Sequence, residues 1–185
     1  MDIPSSHHHM HQLGFTLIEL LTTLSILLIL LTVGLPSLQP VMANSKMTAA
    51  VNTMATHLNL ARSEAVYRGI RTILCPSSDG TTCLNSTEWH QGFILFADNN
   101  ANRIHEEEEK LLRIYTAVNQ QQIHISTTNG RKWVRYQSTG AAPGSNLTMT
   151  FCDTRDHADP KALIISSTGR IRLSATKPSG APLDC

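Results

Sequence analysis

Residues 14–35 read GFTLIELLTTLSILLILLTVGL, and from Phe15 to Leu35 they carry a single charge, Glu19. At about 1.5 Å per residue this run makes a helix of roughly 31 Å, the thickness of a bilayer's hydrocarbon core. A core helix of that length would show a polar face, and this one has none. The run predicts a membrane-spanning helix over 15–35. Glu19 would be costly in lipid, so it is either a functional group or a side chain reaching for the interface.

The residues around Glu19 decide between these. GFTLIELL, residues 14–21, resembles the processing site of type IV prepilins and type II secretion pseudopilins. The resemblance implies that a prepilin peptidase cuts after Gly14 and that Phe15, the new N-terminus, is methylated. It also implies that Glu19 meets the terminal amine of a neighbouring pilin subunit, which would neutralise it. Pro36 falls where many pilins carry a helix-kinking proline. Residues 1–14 are then a leader, removed and outside the fold. The leader departs from expectation in lacking Lys and Arg, and its HHHMH run (7–11) is read as neither tag nor metal clamp.

Beyond the span, Met47, Val51, Met54, Leu58, Ala61 and Ala65 recur at helical intervals. They predict a soluble half-helix over 36–69, loosened at Pro36 and Pro40 and stopped at Gly69. From residue 70 to 185 the apolar period becomes that of strands. Candidates are 71–75, 92–97, 111–118, 122–126, 134–137, 147–152, 162–167 and 170–174, separated by Gly, Pro, Asn and Asp. The expected class is α+β, with the long N-terminal helix packed on an antiparallel sheet in a globular head. WHQGFILFADNNANRIHEEEEKLLRIY, residues 89–115, further resembles the GspH/FimT subgroup of these pilins. By the same resemblance the chain sits singly across the bacterial inner membrane, head in the periplasm, before joining a pilus at the cell surface.

Four cysteines admit three pairings, and a periplasmic head permits disulfides. The expected pairs are Cys75–Cys83 across the PSSDGTT loop and Cys152–Cys185 at the C-terminus. A zinc site built on them would lack CxxC spacing.

Asp98, Asn100, Asn102 and Glu109 stand at the first, third, fifth and twelfth positions of an EF-hand-like loop. The sixth position, which should be Gly, is Arg103, and no helix precedes the loop. An acidic hairpin turn is therefore the preferred reading, with Glu106–Glu109 solvated and no metal held. His57, His90, His105, His124 and His157 show neither metal spacing nor a nucleophile–base pattern. No enzyme and no cofactor are expected.

The formal net charge of +1 conceals an uneven distribution. Eight basic and four acidic residues lie in 119–185, against seven basic and nine acidic in 15–118. In the basic part, STGRIRLSATK (167–177) reads as a turn leading into a strand. Arg170 and Arg172 share one face, while Ile171 and Leu173 point to the core. Paired guanidiniums suit phosphate, onto whose oxygens they fork. The bland alternative is a charged edge strand that discourages aggregation. Gly169-Arg170-Ile171-Arg172 resembles the GRxR motif of FimT-like minor pilins, which implies that Arg170 and Arg172 contact double-stranded DNA during natural transformation. Lys177, Lys161 and Arg155 are secondary candidates, and Arg131, Lys132 and Arg135 are left open. The rival expectation is a structural minor pilin or pseudopilin that primes assembly at a fibre tip.

Overall fold

The computed structural model describes residues 14–116 and 122–185, apart from the side chains at 33–37. The leader expected over 1–14 and the end of the strand expected over 111–118 therefore lie largely outside the described residues. The chain divides into two units, one ending at Gln39 and the other running from Pro40 to Cys185. Helix α1 (Leu17–Arg68) begins in the first.

In the first unit the described apolar side chains are exposed on every side, Phe15 at 85%, Leu17 at 76% and Leu30 at 64%. Apolar surface of this extent calls for a partner other than water. Among the described residues no helix is long and apolar enough to cross a membrane. The expected span runs through 33–37, whose side chains are not described, so the bilayer reading belongs with the proposals below.

The second unit holds its own core. Ala43, Met47, Val51, Met54, Leu58, Ala61 and Ala65 form the buried face of α1, none more than 3% exposed. The helical period read from sequence is that face. The helix stops at Arg68, where the Gly69 amide turns back to the Val66 carbonyl. Eight strands follow: β1 (Arg71–Pro76), β2 (Gly92–Asp98), β3 (Leu111–Thr116), β4 (Ile123–Thr127), β5 (Val134–Tyr136), β6 (Leu147–Asp153), β7 (Lys161–Ile165) and β8 (Ile171–Ser174).

They form two antiparallel sheets, where a single sheet was expected. One has the order β3-β2-β1-β5 and the other β4-β6-β7-β8. Their division depends on the non-local pairings β1–β5 and β4–β6. Both sheets turn apolar residues onto α1, with Leu74, Phe93 and Leu95 from the first and Ile125, Met149, Phe151 and Leu163 from the second in one cluster. Strand β2 is buried along its whole length. Its outer face, with Ile73, Cys75 and Phe96, forms a smaller cluster roofed by Cys83, Leu111 and Trp133.

Disulfides join Cys75 to Cys83 and Cys152 to Cys185. The first clips the loop after β1, and the second ties the C-terminal segment to β6. Every buried side chain of the described chain, and both disulfides, fall within Pro40–Cys185, which therefore carries what it needs to fold alone.

Candidate nucleic-acid interface

Strand β8 is the outer strand of its sheet, bonded only to β7, with Ile165 opposite Ile171 and Ile164 opposite Arg172. Residues 166–170 turn between them. The Ser166 amide donates to the Arg170 carbonyl at 3.0 Å, and the Arg170 amide to Ser166 Oγ at 3.2 Å. The ladder thus sets Arg170 beside Ser166 and Arg172 beside Ile164, both on the sheet face turned away from α1. Both arginines are exposed, and among the described residues neither guanidinium has a hydrogen-bond or ion-pair partner.

The turn owes its position to Gly169. Its φ is +80°, and a Cβ there would lie 2.1 Å from the Gly140 carbonyl oxygen and 3.2 Å from Tyr136 Cε1. The turn is thus pressed against the 137–142 loop, where the Ala142 amide also donates to the Ser167 carbonyl at 2.9 Å. Beneath it lies the buried Tyr136, whose phenol is pushed up by burial, with the Arg62 charge opposing.

Three further arginines brace this end. Arg62 of α1 donates to the Thr168 carbonyl at 3.5 Å, Arg131 to the Gly144 carbonyl at 2.6 Å, and Arg135 to the Pro143 carbonyl at 2.8 Å. Among the described residues none of the five arginines is ion-paired. Carbonyl oxygens orient these guanidiniums without neutralising them, so a positive field surrounds the turn. Arg62 was not legible in sequence, because it reaches the turn from more than a hundred residues away.

The secondary candidates are not drawn in. Lys177 is ion-paired with Asp184. Lys161 donates to Thr48 Oγ1 of α1 at 3.1 Å, on the helix side of its sheet. Arg155 stands at the opposite end of β6 from the turn, 3.4 Å from Asp153. Burial alone would raise the Asp153 carboxyl, but the amides of Arg155 and His157 and the Arg155 charge hold it below the usual range. Lys132 is bound to Asn85. Leu173 also departs from expectation at 59% exposed, since an outer strand is covered from one side only, and Ile171 alone of the pair packs on the core.

Beside the two free arginines, the outer face of the second sheet carries a groove of about 900 Å³. Thr148, Thr150, Ile164 and Ser166 floor it, and Lys177 to Asp184, tethered by Cys152–Cys185, form one wall. The floor mixes hydroxyls with the apolar Ile164, and the wall carries Asp184 paired to Lys177, so the groove itself adds no free positive charge to the two arginines.

Two arrangements elsewhere were missed in sequence. The Glu88–Ser126 bridge brings Glu88, His90 and His124 together, their donor atoms within 4.8 Å of one another, with His124 paired to Glu88. The histidines lie far apart in the chain, so spacing could not reveal the three-ligand set that zinc accepts. Glu109, expected in a solvated run, is 6% exposed.

Residues 50–169 match the family described as type II transport protein GspH, and residues 9–35 the prokaryotic N-terminal methylation motif. The pilin-like protein PilA1 of Thermus thermophilus is 30% identical over 164 residues, 86% of this chain and 97% of that protein. The type IV minor pilin FimU of Pseudomonas aeruginosa shares the fold in two crystal forms, at TM-scores of 0.57 and 0.54 and 22% identity. Those matches cover 76% and 75% of this chain, and 96% and 98% of FimU. The chain belongs to the GspH family of pilin-like proteins.

Proposed function

We propose that this minor pilin binds extracellular double-stranded DNA through Arg170 and Arg172, independently of sequence, for uptake in natural transformation. One observation carries the reading: two exposed, unpartnered guanidiniums share a sheet face on a turn wedged in place by Gly169. Arginines fixed in this way can fork onto phosphate without first breaking an internal bond. Phosphate contacts carry no base information, so sequence independence follows. Few phosphates are neutralised per subunit, so affinity per head is modest and rises with copies along a fibre.

In this proposal a prepilin peptidase removes residues 1–14, Phe15 is methylated, and Glu19 neutralises the amine of a neighbouring subunit. The apolar 15–35 segment holds the chain in the inner membrane until the filament takes it up. The test is an electrophoretic shift with the Pro40–Cys185 head. Arg170→Gln with Arg172→Gln abolishes the shift of a random-sequence duplex while leaving the melting temperature unchanged, and an unaltered shift sinks the assignment.

The structural reading, priming assembly at a fibre tip, also has an observation behind it. Lys177, Lys161 and Arg155 are all engaged within the chain. A head that shows no DNA binding at low salt would favour that role.

A further inference from the structure

The hairpin between β2 and β3 closes through residues 98–109. The register Phe96 opposite Leu111, continued by the Ala97 amide bond to the Lys110 carbonyl at 3.0 Å, sets Asp98 opposite Glu109. Both are buried, at 1% and 6% exposure. Each spends one oxygen on the loop's backbone. Asp98 Oδ1 accepts from the Arg103 amide at 3.3 Å, and Glu109 Oε1 from the Asn99 amide at 2.8 Å. The other two oxygens, Asp98 Oδ2 and Glu109 Oε2, are sealed from solvent and make no hydrogen bond. Among the described residues no Lys or Arg pairs with either carboxylate. Like charges facing each other across an antiparallel pair repel, and burial without a counter-charge adds to the cost.

The loop around them is laid out for a hard cation. With Asp98 as the first position, Asn100, Asn102, Glu106 and Glu109 are the third, fifth, ninth and twelfth, and the Ile104 carbonyl is the seventh, the oxygen spacing of an EF-hand calcium loop. Such a loop turns sharply at its sixth position, normally a glycine. Arg103 stands there and makes the turn with φ of 67°. Its guanidinium lies over the Trp133 ring, 5.3 Å from the centroid, so its charge is carried away from the loop. The side-chain amides of Asn100 and Asn102 both donate to Glu106, at 2.7 and 2.9 Å. Their oxygens each accept one backbone amide and keep a lone pair.

We propose that residues 98–109 bind a calcium ion, with Asp98 Oδ2 and Glu109 Oε2 as its buried ligands. The ion pins the β2–β3 hairpin over the Trp133 cluster. Magnesium, which demands tight octahedral geometry and holds its waters, suits this long loop poorly. The missing glycine is met by the positive φ of Arg103, whose charge lies over Trp133; no helix precedes the loop, so strand β2 stands where an EF-hand has its first helix. The inference does not depend on DNA binding.

The test uses the Pro40–Cys185 head, which lacks the leader histidines, stripped with EDTA and titrated with Ca²⁺ or Mg²⁺ by calorimetry and thermal melting. A single calcium binds, with a Kd of about 0.1–1 mM as in extracellular modules, and raises Tm by several degrees. Magnesium has less effect. Asp98→Asn and Glu109→Gln lose the calcium-dependent rise. In EDTA, Glu109→Gln melts at or above the parent, because a repelling charge is gone and the new amide can donate to Asp98 Oδ2. Should the buried variants not fold, the exposed Glu106→Gln keeps the fold and weakens calcium, because affinity in such loops follows the charge of the ligand set. No shift of the parent at about 10 mM calcium, well above the expected Kd, overturns the proposal. So does an equal shift in Glu109→Gln or Glu106→Gln.

Discussion

Replacing Gly169 by Ala tests whether the arginine-bearing turn is held by close backbone packing. Two costs follow from the structure. At φ of +80° an alanine sits in the left-handed region, about 1–2 kcal/mol for an L residue. Its Cβ would also lie 2.1 Å from the Gly140 carbonyl oxygen, a backbone atom that moves only with its loop. Relieving overlap of that kind costs about 1–3 kcal/mol. The sum is roughly 2–5 kcal/mol, on the basis of these two terms. Gly130→Ala separates them, since Gly130 has φ of +75° and open space around its would-be Cβ. It should lose only the conformational term, about 1–2 kcal/mol. Urea unfolding of the Pro40–Cys185 head reads both, with m-values checked for constancy. The turn should also shift in Gly169→Ala, weakening DNA binding more than Gly130→Ala does. Equal destabilisation in the two variants would refute the packing argument.

Changing both Cys152 and Cys185 to Ser opens a closure spanning 33 positions, which in the chain-entropy account costs about 4 kcal/mol. The same change frees the groove wall, so cleavage within 179–185 by a protease of broad specificity should speed up while Cys75–Cys83 stays intact. Tyr136→Phe runs the other way. The Tyr136 hydroxyl is buried without a hydrogen-bond partner, so its removal should leave stability unchanged or raise it by about 1 kcal/mol, measured as an increase in Tm.

Much of the fold could be read from local pattern. The apolar stripe from Met47 to Ala65 is the buried face of α1, and each strand expected from alternation has its counterpart within a residue or two at most ends. The division into two sheets could not be read, because β1 chooses β5 and β4 chooses β6 across intervening strands, and alternation says nothing of partners. Alternation did put Arg170 and Arg172 on one face, but the fate of Leu173 turned on its strand being outermost. The charge of a side chain is legible, whereas its engagement is not. Lys177, Lys161 and Arg155 look as free in sequence as Arg172, and only the fold supplies Asp184, Thr48 and Asp153 to occupy them. Arg62 and the Glu88–His90–His124 set were hidden for the same reason, since each rests on contacts between segments that spacing cannot join.

The most direct measurement is the salt dependence of DNA binding by the Pro40–Cys185 head and its Arg170→Gln, Arg172→Gln variant. Each phosphate neutralised on duplex DNA contributes about 0.9 to the slope of log K against log salt. If the two arginines are the phosphate contacts, their loss lowers the magnitude of the slope by about 1.8 and abolishes binding near physiological salt. A parent and variant with the same slope and the same affinity would contradict the account.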